Sequence, residues 1–141
     1  MPLIKKIEEL AERYPVSVLY VFGSRALEIK SLVEGKEEEW TALDSDVDVG
    51  VQPELGQRLT AQDRVEIVLA LEKLFGVKRV DLVVLPEADA FLALDIIRGE
   101  ILFCRDFDQQ AEDELYVLRR AGDLSYFQRE RIQMVLNEGG R

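Results

Sequence analysis

Val18-Leu-Tyr-Val-Phe-Gly-Ser24 and Ser45-Asp-Val-Asp-Val-Gly-Val51 are the two stretches that decide the fold of this chain. The first is an apolar, β-branched run that predicts a buried strand ending in a Gly-Ser turn. The second predicts another buried strand, and it carries Asp46 and Asp48. Because residues two apart on a strand share a face, we expect both carboxylates to lie side by side. Adjacent like charges on a buried strand resist desolvation unless a cation lies between them, so the pattern indicates a metal site.

Length and composition indicate a single globular domain. The chain has 141 residues, of which 48% are hydrophobic, enough for one core. We expect no membrane association, because no apolar run is long enough for a membrane span and the amphipathic N-terminus does not resemble a signal peptide. The single cysteine, Cys104, excludes an internal disulfide and favours a reducing, cytoplasmic setting.

Charge and the lack of histidine narrow the chemistry further. The formal net charge of −10 argues against direct nucleic-acid binding and is compatible with a basic protein partner. The chain has no histidine, which excludes Ser-His-Asp and Cys-His catalysis and every His-ligated metal site. Acid–base chemistry must therefore come from carboxylates, Lys, Tyr or water.

The remaining pattern alternates strands and helices. Strands are predicted at 16–22, 47–51, 80–85 and 101–104. Helices are predicted at the N-terminus, at 25–32, between the Thr60 N-cap and Gly76, and at 88–98. The tail, 109–136, is expected to form two helices broken near Gly122. This order predicts an α/β (α+β) fold with a small mixed sheet of three to four strands, flanked by helices and followed by a helical C-terminal tail.

A third acidic residue completes the acidic pattern. Asp81 lies near the start of a predicted strand whose other residues are apolar. Taken singly, a strand-end Asp, an Asp-x-Asp and a Gly-Ser turn are common surface features. Their conjunction predicts a site for phosphate chemistry, in which Asp46 and Asp48 share Mg²⁺, expected as two ions, and Asp81 ligates the second ion.

The Gly-Ser turn is the expected phosphate-binding element. Gly23 has no Cβ and allows the backbone to approach phosphate oxygens. The Ser24 hydroxyl and the amides at the following helix start would bind those oxygens. Arg25 is a candidate cation for the same phosphates, with a solvated surface position as the equal alternative.

At these residues the chain resembles the minimal nucleotidyltransferase (MNT) family of the DNA polymerase β-like superfamily. The segments that carry the resemblance are Phe22-Gly-Ser-Arg-Ala26, Ser45-Asp-Val-Asp-Val49 and Val80-Asp-Leu-Val-Val-Leu85. The resemblance assigns 1–105 to an MNT domain and 106–141 to its helical C-terminal extension. It implies the nucleotidyltransferase fold and Mg²⁺-dependent transfer of AMP from ATP to a hydroxyl. The implied catalytic and metal-binding residues are Asp46, Asp48 and Asp81, and the implied nucleotide-binding residues are Gly23, Ser24 and Arg25.

The tail resembles, less specifically, the helical ends of family members paired with HEPN-domain ribonuclease toxins. The resemblance therefore implies an antitoxin that modifies a tyrosine of a HEPN toxin. Two alternatives stay open: a catalytically weak binding module that neutralises a partner by occlusion, and a nucleotidyltransferase of small molecules. The sequence also leaves open whether the protein is a homo- or hetero-oligomer.

The chain departs from the family pattern after Ala26. Members usually continue with Arg-Gly and reach Ser-Asp-x-Asp within about a dozen residues, whereas here Leu27-Glu28 follow and the segment to Ser45 is longer by roughly ten. Compared with the family pattern, this change implies the absence of a phosphate-facing cation and weaker nucleotide binding. Lys30 and Lys36 are candidate substitutes, and a solvated loop position is the simpler expectation for both.

Overall fold

The protein alternates helices and strands, as predicted. A computed structural model describes residues 2–35 and 46–139, with side chains given as far as Leu124. The elements in these ranges are α1 (Leu3–Glu12), β1 (Val16–Phe22), α2 (Ala26–Val33), β2 (Val47–Pro53), α3 (Ala61–Phe75), β3 (Val80–Val84), α4 (Ala90–Ile97), β4 (Glu100–Cys104) and α5 (Phe107–Gly139). A short 3-10 turn, Leu85–Glu87, links β3 to α4. The predicted α/β class is confirmed.

The strands form one four-stranded mixed sheet in the order β3-β2-β1-β4. The central strand β1 is antiparallel to β2 and to β4, and all of its residues are buried. β2 pairs parallel with β3, and α3 makes the crossover that a parallel pair requires. Because of these directions, the end of β1 and the starts of β2 and β3 meet at one edge of the sheet.

Helices cover both faces of the sheet. α1, α2 and α3 pack on one face, where Leu19 and Val21 of β1 join the main core. α4 and the first part of α5 pack on the other face, against Val18, Tyr20 and Phe22. This division follows the alternation of side chains along a strand, because successive residues of β1 contribute to opposite cores.

Helix α3 shows how local signals set its ends. Thr60 and Asp63 form a reciprocal capping box, with both hydrogen bonds at 3.0 Å. Gly76 ends the helix in the left-handed conformation, with φ +67°. Both predicted ends are therefore confirmed.

The predicted break in the tail is wrong. α5 runs without interruption from Phe107 to Gly139 and passes through Gly122. A glycine inside a helix costs only about 1 kcal/mol relative to alanine, and 107–139 contain no proline. Gly122 alone is therefore too weak a signal to end the helix.

The described part of α5 packs along only one side. Val117 and Ala121 are buried, whereas Leu115, Tyr116 and Leu118 are exposed. The segment 36–45 and the side chains beyond Leu124 lie outside the described residues. None of the helices within the described ranges combines the length and the apolar character needed to cross a bilayer.

Candidate active site

The Gly-Ser turn lies directly against an acidic side chain. Gly23 has φ +80°, in the left-handed region that favours glycine. A Cβ at this position would lie 2.8 Å from Oδ2 of Asp48. Any other residue at position 23 would therefore be strained and would also collide with the Asp48 carboxylate. Ser24 is exposed beside it, and the Gly23 carbonyl accepts a hydrogen bond from the Ala26 N–H at 3.3 Å at the start of α2.

The register of the sheet brings Asp46, Asp48 and Asp81 to the same edge of the sheet, which we call the acidic edge. Asp48 is paired at Cα with Phe22 of β1 on one side and with Asp81 of β3 on the other. Asp46 lies one residue before β2 and not within it. The Val47 N–H between them donates to the Arg79 carbonyl at 3.1 Å, which holds the start of β2 beside the start of β3. Residues that are 33 to 35 positions apart in the chain are thereby placed side by side.

The surroundings of Asp48 disfavour its charged form. Burial, and then the charges of Asp81 and Asp46, raise the pKa of Asp48 above its ordinary value. The side chains of both neighbours are open to solvent, with 41% exposed at Asp46 and 38% at Asp81. The charge repulsion expected from the sequence therefore acts on Asp48, whose carboxylate is also partly buried.

The carboxylates of Asp46, Asp48 and Asp81 are suitable ligands for Mg²⁺, although their side chains do not converge on a single point. Among the described residues, no group of three His, Cys, Asp or Glu side chains is arranged to hold a metal ion as it stands. Mg²⁺ takes hard oxygen ligands, and in phosphoryl-transfer sites one or two carboxylates suffice beside substrate phosphates and waters. The half-exposed carboxylates of Asp46, Asp48 and Asp81 meet that requirement by type and by adjacency.

Arg79 belongs to this edge and was missed by the sequence analysis. Its Nε lies 3.0 Å from Oδ1 of Asp81 and 3.7 Å from Oδ2 of Asp46. The hydrogen bond to Asp81, followed by the charges of Asp81 and Asp46, raises the pKa of Arg79. The available signal was its position two residues before Asp81, since alternate residues of an extended chain share a side. Its contact with Asp46 depends on the pairing of β2 with β3 and has no local signal.

Arg25 has a different environment from the one expected for a surface residue. It is only 3% exposed, and its Nε lies 3.4 Å from Oε2 of Glu28. The solvated alternative is therefore wrong. The partner of Arg25, Glu28, is one of the two residues at which the chain departs from the family pattern.

The candidate substitute cations have other positions. Lys30 lies on α2 and is partly buried, so the expected loop position is wrong. Its Nζ donates to the Ile101 carbonyl of β4 and lies 3.7 Å from Oε1 of Glu34. Lys36 lies outside the described residues.

The mixed sheet, the glycine turn and the acidic edge define a nucleotidyltransferase-type fold. The family "Polymerase beta, Nucleotidyltransferase" matches residues 5–108 of the chain. The protein belongs to this polymerase β nucleotidyltransferase family, so the predicted superfamily and enzyme class are confirmed. None of the curated proteins matches the chain significantly.

Solved structures of toxin–antitoxin complexes share the whole fold. A chain of a MntA–HpeT mutant complex is 21% identical, with a TM-score of 0.62, and the match covers 98% of both chains. A chain of a toxin–antitoxin complex with AMP-PNP is 23% identical, with a TM-score of 0.58 and 98% coverage of both chains. A chain from the complex of tri-AMPylated Shewanella oneidensis HEPN toxin with MNT antitoxin is 21% identical, with a TM-score of 0.58, covering 99% of this chain and 97% of the other. At these identities the likeness establishes the fold, and its coverage includes the helical tail.

Proposed function

We propose that this protein is a Mg²⁺-dependent nucleotidyltransferase that transfers AMP from ATP to a tyrosine hydroxyl of a HEPN ribonuclease toxin and thereby acts as its antitoxin. One observation carries the enzymatic part of the proposal. The turn at Gly23 lies against Asp48, and Asp48 is paired with Asp81 across the β2–β3 ladder. Phosphoryl transfer depends on positioning and charge neutralisation, and this edge joins a close backbone approach to a set of hard ligands.

Each residue of the edge has a proposed role. Asp46, Asp48 and Asp81 are the proposed catalytic and metal-binding residues, and Asp81 is also the proposed acceptor of the hydroxyl proton. When bound, Mg²⁺, expected as two ions, neutralises triphosphate charge and activates the attacking hydroxyl. In the reaction, the acceptor oxygen bonds to the α-phosphorus while the bond to the β-phosphate oxygen breaks, and pyrophosphate leaves.

The nucleotide is proposed to bind at the turn. Gly23 allows the backbone to approach phosphate oxygens, and the exposed Ser24 is available to donate its hydroxyl to them. The proposed contribution of Arg25 is an indirect positive potential, because its guanidinium is buried and paired with Glu28. We expect weaker ATP binding than at a turn whose arginine is exposed, because the buried Arg25 makes fewer direct contacts with the phosphates.

Three observations support the antitoxin role. The structural matches extend over the tail, and they include a complex with AMP-PNP and one with a tri-AMPylated HEPN toxin. The net charge of −10 would complement a basic ribonuclease. The exposed Leu115, Tyr116 and Leu118 of α5 are candidate partner contacts. We retain 1–105 as the proposed catalytic domain and 106–141 as its helical extension.

A labelling experiment tests the enzymatic proposal. The protein is incubated with Mg²⁺, ATP labelled at the α-phosphate, and the product of the neighbouring gene, expected to be a HEPN-domain protein. We expect label on a toxin tyrosine together with loss of its ribonuclease activity, and neither when EDTA is added. Absence of labelling with both proteins folded would reject the proposed reaction.

Neutralisation by occlusion is a second candidate that has its own structural support. Arg25 is paired with Glu28, and the carboxylates are not arranged as a finished metal site among the described residues. The double variant Asp46→Asn, Asp48→Asn separates the two functions. If it still neutralises the toxin but no longer transfers AMP, occlusion is sufficient; if neutralisation is also lost, chemistry is required.

The small-molecule alternative has less support. The structural matches reported above include a complex with a tri-AMPylated HEPN toxin, and none of those matches is described with a small-molecule acceptor. A screen of ATP consumption against hydroxylated small molecules is the corresponding test.

A further inference from the structure

On its solvent-exposed side, the acidic edge is paired with a cation of the protein itself, Arg79. The guanidinium of Arg79 reaches both Asp81 and Asp46, with Nε–O distances of 3.0 and 3.7 Å. It therefore neutralises two of the three carboxylates that the proposed function assigns to Mg²⁺. A Mg²⁺ ion that approaches those oxygens must compete with this guanidinium.

We propose that Arg79 is the exchangeable counter-cation of the metal-free site: it holds Asp46 and Asp81 together, and it leaves them when a divalent cation binds. This inference rests on the proposed metal-binding role of these carboxylates. It makes Arg79 a positioning residue, since it acts through the carboxylates and not on the substrate.

The backbone of Arg79 is fixed. Its carbonyl accepts the Val47 N–H at 3.1 Å, and the next residue, Val80, donates its N–H to Oε2 of Glu72 at 3.1 Å. The start of β3 is therefore tied both to β2 and to α3. This anchoring keeps the Arg79 Cα beside the acidic edge whether or not its side chain contacts the carboxylates.

The side chain of Arg79, in contrast, is free to exchange. It is 67% exposed, and both of its carboxylate partners are also open to solvent. Ion pairs in such positions contribute little because water screens them, so displacement by a divalent ion is inexpensive. Arg25 is unsuited to this role, because it is 3% exposed and paired within α2.

Two effects of Arg79 on metal binding have opposite signs. As a competitor, it weakens binding of the first ion; as an organiser of Asp46 and Asp81, it strengthens binding. Competition should dominate, because the β2–β3 ladder already fixes the backbone of Asp81, and the hydrogen bond from the Val47 N–H to the Arg79 carbonyl holds the residue next to Asp46. Removal of the guanidinium should therefore tighten divalent binding about two- to fivefold, within the range expected for one exposed ion pair.

The test measures Mn²⁺ binding by the electron paramagnetic resonance signal of the free ion, without nucleotide and at low ionic strength. The full-length wild type is compared with Arg79→Ala, with Arg79→Lys, and with Arg58→Ala as the control. Arg58 is also exposed, so its removal changes the net charge equally without touching the acidic edge. We expect a Kd lowered about two- to fivefold for Arg79→Ala relative to Arg58→Ala, and an intermediate value for Arg79→Lys.

Thermal unfolding provides a second readout that a merely structural role would not reproduce. In EDTA, Arg79→Ala should have a lower Tm than wild type, and saturating Mn²⁺ should close the difference. An equal Tm deficit with and without Mn²⁺ would contradict the proposal.

The outcomes separate this inference from the proposed function. If wild type and Arg79→Ala bind Mn²⁺ as Arg58→Ala does, the role of Arg79 is rejected and the metal site stands. If neither wild type nor Arg79→Ala binds Mn²⁺, the metal site itself is rejected, and the inference with it. Binding that appears only in Arg79→Ala supports the proposal in its strongest form.

Discussion

The two sides of the acidic edge carry an arginine each, and these arginines are held in opposite ways. On the turn side, formed by residues 23–28, Arg25 is buried and paired with Glu28 within the first turn of α2. On the strand side, formed by Asp46 and residues 79–81, Arg79 is largely exposed and pairs across two strands. Burial therefore holds the side chain of Arg25 in place. The side chain of Arg79 is held only by exposed ion pairs, which a bound metal ion can replace.

The largest expected effect comes from the residue between the two sides. Asp48→Asn should reduce AMP transfer by about 100-fold or more, because the proposed ligand that lies between the Gly23 turn and Asp81 is lost. The same change should leave Tm equal to or above that of wild type at neutral pH. The folded-state pKa of Asp48 is raised, so its ionised form destabilises the fold above the ordinary carboxyl pKa, and the amide removes that cost. A labelled-ATP assay and a thermal melt measure both effects.

Asp95→Asn is the matched control, because Asp95 is an exposed acid on α4. It should change neither quantity. A large fall in Tm for Asp48→Asn would show that Asp48 is a structural residue.

The second prediction compares the two arginines by stability. Arg25→Ala should lower the free energy of unfolding by about 2 kcal/mol, because it removes a buried, packed side chain and leaves Glu28 without its partner. Arg79→Ala should leave stability nearly unchanged in buffer containing Mg²⁺, since its side chain is largely exposed. Urea unfolding of both variants measures the contrast, and equal losses would remove the distinction between the two sides.

The third prediction uses two glycines to separate strain from contact. Gly23 and Gly56 have φ of +80° and +76°, so alanine should cost about 1 kcal/mol at either position. A Cβ at Gly23 would also meet Oδ2 of Asp48 at 2.8 Å, whereas a Cβ at Gly56 has nothing within 4 Å. Gly23→Ala should therefore also reduce AMP transfer at least about tenfold, while Gly56→Ala should leave it intact. Similar activities for the two variants would mean that the turn does not position Asp48.

The smallest expected effect tests the pairing of Arg25. Glu28→Gln keeps the size of the side chain and removes its charge. It should lower the free energy of unfolding by about 0.5–1 kcal/mol and tighten ATP binding about twofold, because the potential of Arg25 at the turn becomes more positive. Isothermal titration with AMP-PNP and Mg²⁺ measures the affinity. Weaker binding would indicate that Glu28 orients Arg25 for the nucleotide.

Much of the fold was predictable because its signals are local. The apolar run 16–22 and the capping residues around α3 each depend on neighbours within a few positions, and both predictions are confirmed. The tail shows the limit of such reasoning. Gly122 is a local signal for a break, yet the residues on either side of it continue the helix.

The residues of the candidate site could be singled out from the sequence, but their arrangement could not. Asp46, Asp48, Asp81 and the Gly-Ser turn stand out because acids inside apolar runs and a glycine at the end of a strand are unusual in any sequence. No pattern in the sequence marks Arg25 as buried, whereas in the structure it is only 3% exposed.

The sequence by itself therefore determined the elements, the acidic residues and the glycine turn, because periodicity, capping and like-charge patterns can be read over short spans. Only the tertiary structure decided which residues meet. The parallel register of β2 with β3 sets Asp48 beside Asp81 and places Arg79 within reach of both Asp81 and Asp46. A shift of one residue in that register would turn alternate side chains to the other face, so the charge balance of the site is a property of strand pairing and not of any one segment.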